Sequence, residues 1–172
     1  MIADDFNNIT AEWETVLQQY SFEALCKKPA ATEWSLGQVY IHLISTTKYF
    51  IQQAVICAAG NEHAAEEAHA AALSMFADNM LPDKDLQGPP SNSDTPQPES
   101  KQQIQHGLQQ LKTEMETAAA LVANSNGTGK TKHPGLQYFN AKQWLQFATM
   151  HMRHHLRQKN KLSNFPPSQV FL

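Results

Sequence analysis

The chain has 172 residues, 41% of them hydrophobic and 17% charged, which fits one folded domain and excludes a disordered or fibrous polymer. Thirteen Lys and Arg against 16 Asp and Glu leave a formal charge of −3 with no basic stripe, so nucleic acid is not an expected partner. No apolar run approaches the roughly 18–20 residues of a membrane span, and the acidic start Met1-Ile2-Ala3-Asp4-Asp5 has no signal pattern. Two cysteines, Cys26 and Cys57, are too few for a disulfide framework, so a reduced, cytoplasmic protein is expected.

Four segments carry apolar residues at helical spacing, and none shows a sustained period of two. The first spans about 3–25, with Phe6, Ile9, Trp13, Val16, Leu17 and Tyr20 on one face. The second spans about 36–59. Ser35 and Gln38 form its capping box, and Trp34 is placed to staple onto Val39. A long connection follows, about 60–100. Its Ala- and Glu-rich part, 62–78, reads as helical; its later part holds Pro82, Pro89, Pro90, Pro96 and Pro98 and reads as irregular. The third helix spans about 101–123, capped by Ser100 with Gln103, and its stripe is Ile104, Leu108, Leu111, Met115, Ala118 and Val122. Residues 124–139 read as a polar loop with three glycines. The fourth helix spans about 141–161, capped by Asn140 with Gln143, with Phe139 placed to staple onto Trp144. Amphipathic helices of this kind are stable only together, so the expected fold is all-α: a four-helix bundle with one long crossover between its second and third helices, in a single domain over 1–172.

Eight histidines stand out in a chain of modest charge. On a wheel of about 100° per residue, Ala148, His151, His155 and Leu162 fall within about 40° of Trp144, and His154 lies about 80° away, at the edge of the stripe. His151 and His155 thus stack one above the other on an apolar face. Imidazoles at i, i+4 can reach one metal ion. His42 shares a face of the second helix with Val39, Thr46, Tyr49, Phe50 and Gln53 and points where the bundle interior should be. His106 faces solvent, and His63 and His69 lie in a segment with little apolar face. A lone inward histidine is more often a satisfied core residue than a ligand. Three together are costly to bury unless something satisfies them, and a divalent cation does so directly.

Other signals carry less. Gly127-Thr128-Gly129-Lys130-Thr131 resembles the tail of a P-loop but lacks the earlier glycine and follows a helix, so it reads as a flexible turn. Glu66-x-x-His69 has the spacing of a di-iron ligand pair, but the core helices supply no second such motif and no inward carboxylates. Cys57 lies near the His42 face but about four turns away, where a buried inert thiol is the better reading.

The run Trp34-Ser35-Leu36-Gly37-Gln38-Val39-Tyr40-Ile41-His42-Leu43 resembles the W-S-x-x-x-x-x-x-H-L signature of the DinB-like superfamily, also called DinB/YfiT-like. The stretch from His133-Pro134-Gly135 through Trp144 to His151-x-x-x-His155 resembles that family's second signature. The resemblance implies an up-down-down-up four-helix bundle, often dimeric. It also implies a divalent metal (zinc, nickel or iron) on the three histidines matching His42, His151 and His155. Characterised members include bacillithiol-dependent S-transferases and a mycothiol-dependent isomerase; many others are known only as metal-dependent hydrolases. Gly135 follows the His-Pro pair immediately, closer than is usual in the family, and the crossover is long, so the substrate does not carry over.

Three imidazoles leave metal positions open, as in catalytic sites. The expected activity is thiol transfer to, or hydrolysis of, a small electrophilic substrate, with a low-molecular-weight thiol as the expected cosubstrate in the first case. The alternative is a non-catalytic metal- or ligand-binding bundle. Candidate catalytic residues are Tyr49, which otherwise reads as core packing, and His133, which otherwise reads as a loop or capping residue. Gln53 and Tyr138 are supporting candidates. No membrane partner is expected, and a homodimer is what the resemblance implies.

Overall fold

The computed structural model describes residues 2–82 and 94–161; Leu162, Pro89 and Pro90 lie outside these. The described chain is mostly helical: α1 (Ile2–Gln18), α2 (Phe22–Cys26), α3 (Leu36–Ala59), α4 (Ala70–Asp78), α5 (Lys101–Asn124) and α6 (Ala141–Lys161), with β1 (Lys130–His133) and β2 (Gln137–Asn140) before α6. Among the described residues no helix is long and apolar enough to cross a membrane.

The four long helices enclose one core, α3 and α1 each packing against both α5 and α6. The apolar faces read from the sequence are the buried ones: Phe6, Ile9, Trp13, Val16 and Leu17 on α1, and Ile104, Leu108, Leu111, Met115 and Ala118 on α5. Val122, at the end of the α5 stripe, is half-buried. Buried polar groups tie the helices together. Trp13 donates its Nε1–H to the Met152 carbonyl at 3.1 Å, and Tyr40 donates its hydroxyl to the Trp13 carbonyl at 2.7 Å. Each would otherwise be an unsatisfied group in the core.

All three expected helix starts are present. Ser35 and Gln38 bond each other's backbone N–H at 3.1 Å, and Asn140 and Gln143 do so at 2.9 Å. Ser100 accepts from Gln103 N–H at 3.0 Å, while the Gln103 side chain reaches one residue further back, to Glu99 N–H at 2.8 Å. Phe139 packs on Trp144 with centroids 5.0 Å apart, as the staple requires.

Four expectations fail locally. The first helix stops at Gln18 instead of running to 25. Gln19 and Tyr20 close it with bonds to the Val16 and Leu17 carbonyls, and the Ser21 side chain takes the Ala24 N–H and starts α2. A serine that offers its own acceptor competes with helix continuation. The segment 62–78 is helical only over 70–78, because the backbone before it pairs with the hairpin: His69 N–H bonds Leu136 O at 2.9 Å, Lys130 N–H bonds Glu62 O at 2.9 Å, and Ala68 bridges Gln137. Inter-segment pairing overrides the helix propensity of the Ala/Glu run.

The 124–139 loop contains the antiparallel pair β1–β2, with Thr131 opposite Phe139 and Lys132 opposite Tyr138, a small two-stranded sheet in an otherwise helical fold. Four-residue strands are too short to print an alternating pattern. The Gly127–Gly129 stretch is hydrogen-bonded along its length, to Ser125 and to the residues just past α3, rather than being a free turn. Gly127 N–H bonds Ser125 Oγ, Thr128 N–H bonds Asn61 Oδ1 and Gly129 N–H bonds Gly60 O, while Ser125 Oγ donates to the Ala58 carbonyl. A Cβ at Gly127 would lie 2.1 Å from Ala58 O, so glycine is needed for this close backbone approach.

Candidate metal centre

The capping box at Ser35 fixes where α3 begins and therefore which face carries His42, two turns in. The Asn140 box and the Phe139–Trp144 staple do the same for α6, whose His151 and His155 follow at i, i+4. Because α3 and α6 pack side by side, the three rings meet. The His42 centroid lies 5.3 Å from that of His151 and 5.1 Å from that of His155, and the latter two are 4.5 Å apart. One nitrogen from each ring lies within 4.8 Å of the others, the only such histidine, cysteine or acidic cluster among the described residues. His151 Nε2 and His155 Nε2 are 3.2 Å apart.

His42 is 7% exposed, and His151 and His155 are half-buried. Burial pushes His42 down to about 4. His155 falls to about 3, chiefly by burial, then by its neighbours His42 and His154, against a hydrogen bond with Gln158. His151 is held well below the usual histidine range by burial and then by His155 and His42. All three are therefore neutral at neutral pH, the form in which imidazole ligates a metal. His151 Nδ1 is buried without a hydrogen-bond partner among the described residues. Two ligands about 2.0–2.1 Å from one tetrahedral zinc stand about 3.3–3.4 Å apart, close to the His151–His155 spacing. The donor set and its geometry fit a divalent cation, and this group could hold one.

The surroundings are aromatic. Phe50 meets His151 edge-on at 5.4 Å, Phe147 stacks on it at 6.4 Å, and Trp34 lies 5.0 Å from His42. The Trp34 contact is one the sequence reading missed, since a staple on Val39 was expected. The clue in the sequence is that Trp34 ends the loop leading into the helix of His42 and opens the signature that His42 closes.

The wheel underestimates one residue. His154 is 3% exposed, more buried than the pair it was set beside, because α6 packs against α1 as well as α3 and buries more than one stripe. His133 lies at the end of β1. Its ring stacks on Phe139 at 5.0 Å and contacts Phe147 at 5.0 Å and Trp144 at 5.7 Å; its Nδ1 accepts from Gly135 N–H at 3.2 Å; and burial pushes it down to about 4. It stands outside the trio, behind Phe147. Tyr49 is 41% exposed with its ring edge toward Trp144, so it is not core packing. Gln53 is half-buried on the same helix, and Tyr138 packs on His63 at 5.0 Å. Cys57 is buried against Thr131 Oγ1 and Phe139 O, both at 3.5 Å, away from the histidines. His69 caps α4 and is exposed, as is Glu66, so the Glu66-x-x-His69 pair gathers no ligand cluster.

Fold and site together define a mostly helical protein whose two central helices present three converging neutral imidazoles able to hold a metal ion. The sequence profile of the DinB superfamily matches residues 6–158, and the chain belongs to that superfamily. A search of curated proteins and of solved structures gave no significant match.

Proposed function

We propose that this protein is a metal-dependent enzyme in which His42, His151 and His155 hold one divalent cation (zinc, nickel or iron) and which acts on a small electrophilic substrate by thiol transfer or hydrolysis. The observation that carries this reading is the convergence of the three rings, with nitrogens within 4.8 Å of one another. Bound there, a divalent cation supplies Lewis acidity, making a water or a thiol available as a nucleophile near neutral pH.

The chain's own contribution is to present three uncharged donors from two neighbouring helices, two of them on residues that are only half-buried. His133, neutral and with Nδ1 occupied by Gly135 N–H, keeps a proton on Nε2 and can donate it in a hydrogen bond. Tyr49, on the solvent side of Trp144, is the second candidate for contact with substrate. The single-domain, up-down-down-up four-helix bundle implied by the family, with a homodimer as its assembly and the cytoplasm as its location, completes the reading.

Elemental analysis of the purified wild type and of His151→Ala tests the site: about one equivalent of metal in the wild type and little in the variant are expected, and equal content overturns it. Turnover of a panel of electrophiles, with and without added low-molecular-weight thiols, tests the activity. Metal-dependent turnover is expected; tight metal binding with no turnover across the panel favours a binding protein instead.

A further inference from the structure

A ligating imidazole is ordinarily oriented by a hydrogen bond to the ring nitrogen that faces away from the ion. His155 has a side-chain hydrogen-bond partner in Gln158. His42 differs: among the described residues no hydrogen bond reaches its side chain, and the rings in contact with it are His151, His155 and Trp34. Of these only Trp34 is not itself a candidate ligand. Its indole lies 5.0 Å from the imidazole at an interplanar angle of 51°.

We propose that Trp34 is the positioning residue for His42, holding by packing a ring that no hydrogen bond holds. The inference rests on the reading of the trio as a metal site. A side chain confined to one rotamer before binding loses less freedom on binding, so the contact raises metal affinity without touching the ion.

The backbone that follows Trp34 is anchored from several directions. Its neighbour Ser35 donates its backbone N–H to Gln38 Oε1 at 3.1 Å and its hydroxyl to Gln97 Oε1 at 2.7 Å. Gln97 Nε2 donates to the Cys26 carbonyl at 3.1 Å, and Gln38 Nε2 donates to the Thr95 carbonyl at 2.7 Å. Pro98 sits so close to Gly37 that an added Cβ there would meet its ring at 2.8 Å. The end of the long crossover is thus locked onto the start of α3, and the indole it steadies bears on His42 one turn beyond Gln38.

The test uses the full chain freed of metal by chelation and titrated with Co²⁺, whose visible spectrum reports on its ligands, with Zn²⁺ calorimetry alongside. Wild type, Trp34→Phe, Trp34→Leu and Trp34→Ala are compared, together with the thermal midpoint of each metal-free form. Trp34→Ala should lose about 10–100-fold in affinity at unchanged stoichiometry, and Trp34→Phe should recover most of that loss. Trp34→Leu, which keeps apolar bulk, separates positioning from folding should the alanine variant not fold; it should bind more weakly than Trp34→Phe at a similar midpoint. Affinities equal to wild type in folded Trp34→Leu and Trp34→Ala would overturn the proposal. Failure of the wild type to bind either ion would overturn the metal reading instead. In that case a nuclear Overhauser contact between the Trp34 indole and the His42 ring in the metal-free protein still decides whether Trp34 fixes the imidazole: its presence supports the positioning role, and its absence ends it.

Discussion

The Nε2 atoms of His151 and His155 stand 3.2 Å apart, one helical turn from each other, with the ring of His42 closing the third side. Two neutral imidazoles with nitrogens facing at this distance either share one proton or share one cation, and with the third ring beside them the group could hold a cation.

Metal should therefore stabilise the folded chain. A ligand present at 100 times its Kd adds about 2.7 kcal/mol when it binds only the native state. Zn²⁺ should raise the thermal midpoint of the wild type, and EDTA should reverse the shift. His42→Ala and His155→Ala should show almost no shift, their affinity having fallen by more than about 100-fold, since even losing an outer-shell partner costs 10–100-fold. Calorimetric scans with and without Zn²⁺ check this; an equal shift in all three proteins would contradict it.

His133 should make the metal-free protein sensitive to acid. Its folded-state pKa is about 4, below the usual histidine value near 6.5, because it is half-buried and desolvated among Phe139, Trp144 and Phe147. Between about pH 6.5 and 4 the unfolded chain takes up a proton there that the folded chain does not, so stability from this residue is full above 6.5 and falls as pH drops toward 4. Urea unfolding across that window should show a shallower loss for His133→Gln than for the wild type. Parallel slopes would mean that the residue is not neutral and buried in solution.

Two glycines, Gly127 before β1 and Gly135 between β1 and β2, should respond differently. Gly127→Ala places a Cβ 2.1 Å from the Ala58 carbonyl oxygen, so one of two backbone segments must move, at a cost of about 1–3 kcal/mol. Gly135→Ala meets nothing within 4 Å and should change stability by no more than about 0.5 kcal/mol. Denaturant midpoints for the pair distinguish a packed glycine from a tolerant one.

Ser35→Ala removes the acceptor for Gln38 N–H, which is buried, together with the donor to Gln97, which is part-buried. A loss of about 1–2 kcal/mol is expected, at the upper end for a helix cap. Ser100→Ala, whose side chain caps α5 through Gln103 N–H alone, should cost about 1 kcal/mol or less.

Much of this protein is legible in its residues before any coordinates. The three cap motifs mark the starts of α3, α5 and α6, because side chains that satisfy orphan N–H groups act over three residues and need no distant partner. The apolar stripes and the His151–His155 spacing follow from helical periodicity alone, and so does the shared inward face of His42. The pairing of those two helices, and with it the meeting of three imidazoles, only the folded chain brings about.

Tertiary structure also decided what local pattern could not. Backbone partners far along the chain turned residues 62–69 away from helix and raised a hairpin in a segment that reads as loop. Packing against two helices instead of one buried His154, and a loop docked across 60 residues of sequence set Trp34 on His42. Propensity and periodicity are fixed by covalent geometry within a few residues. Which far-apart groups satisfy one another depends on the whole chain closing at once, and the orientation of each imidazole belongs to that second kind of information.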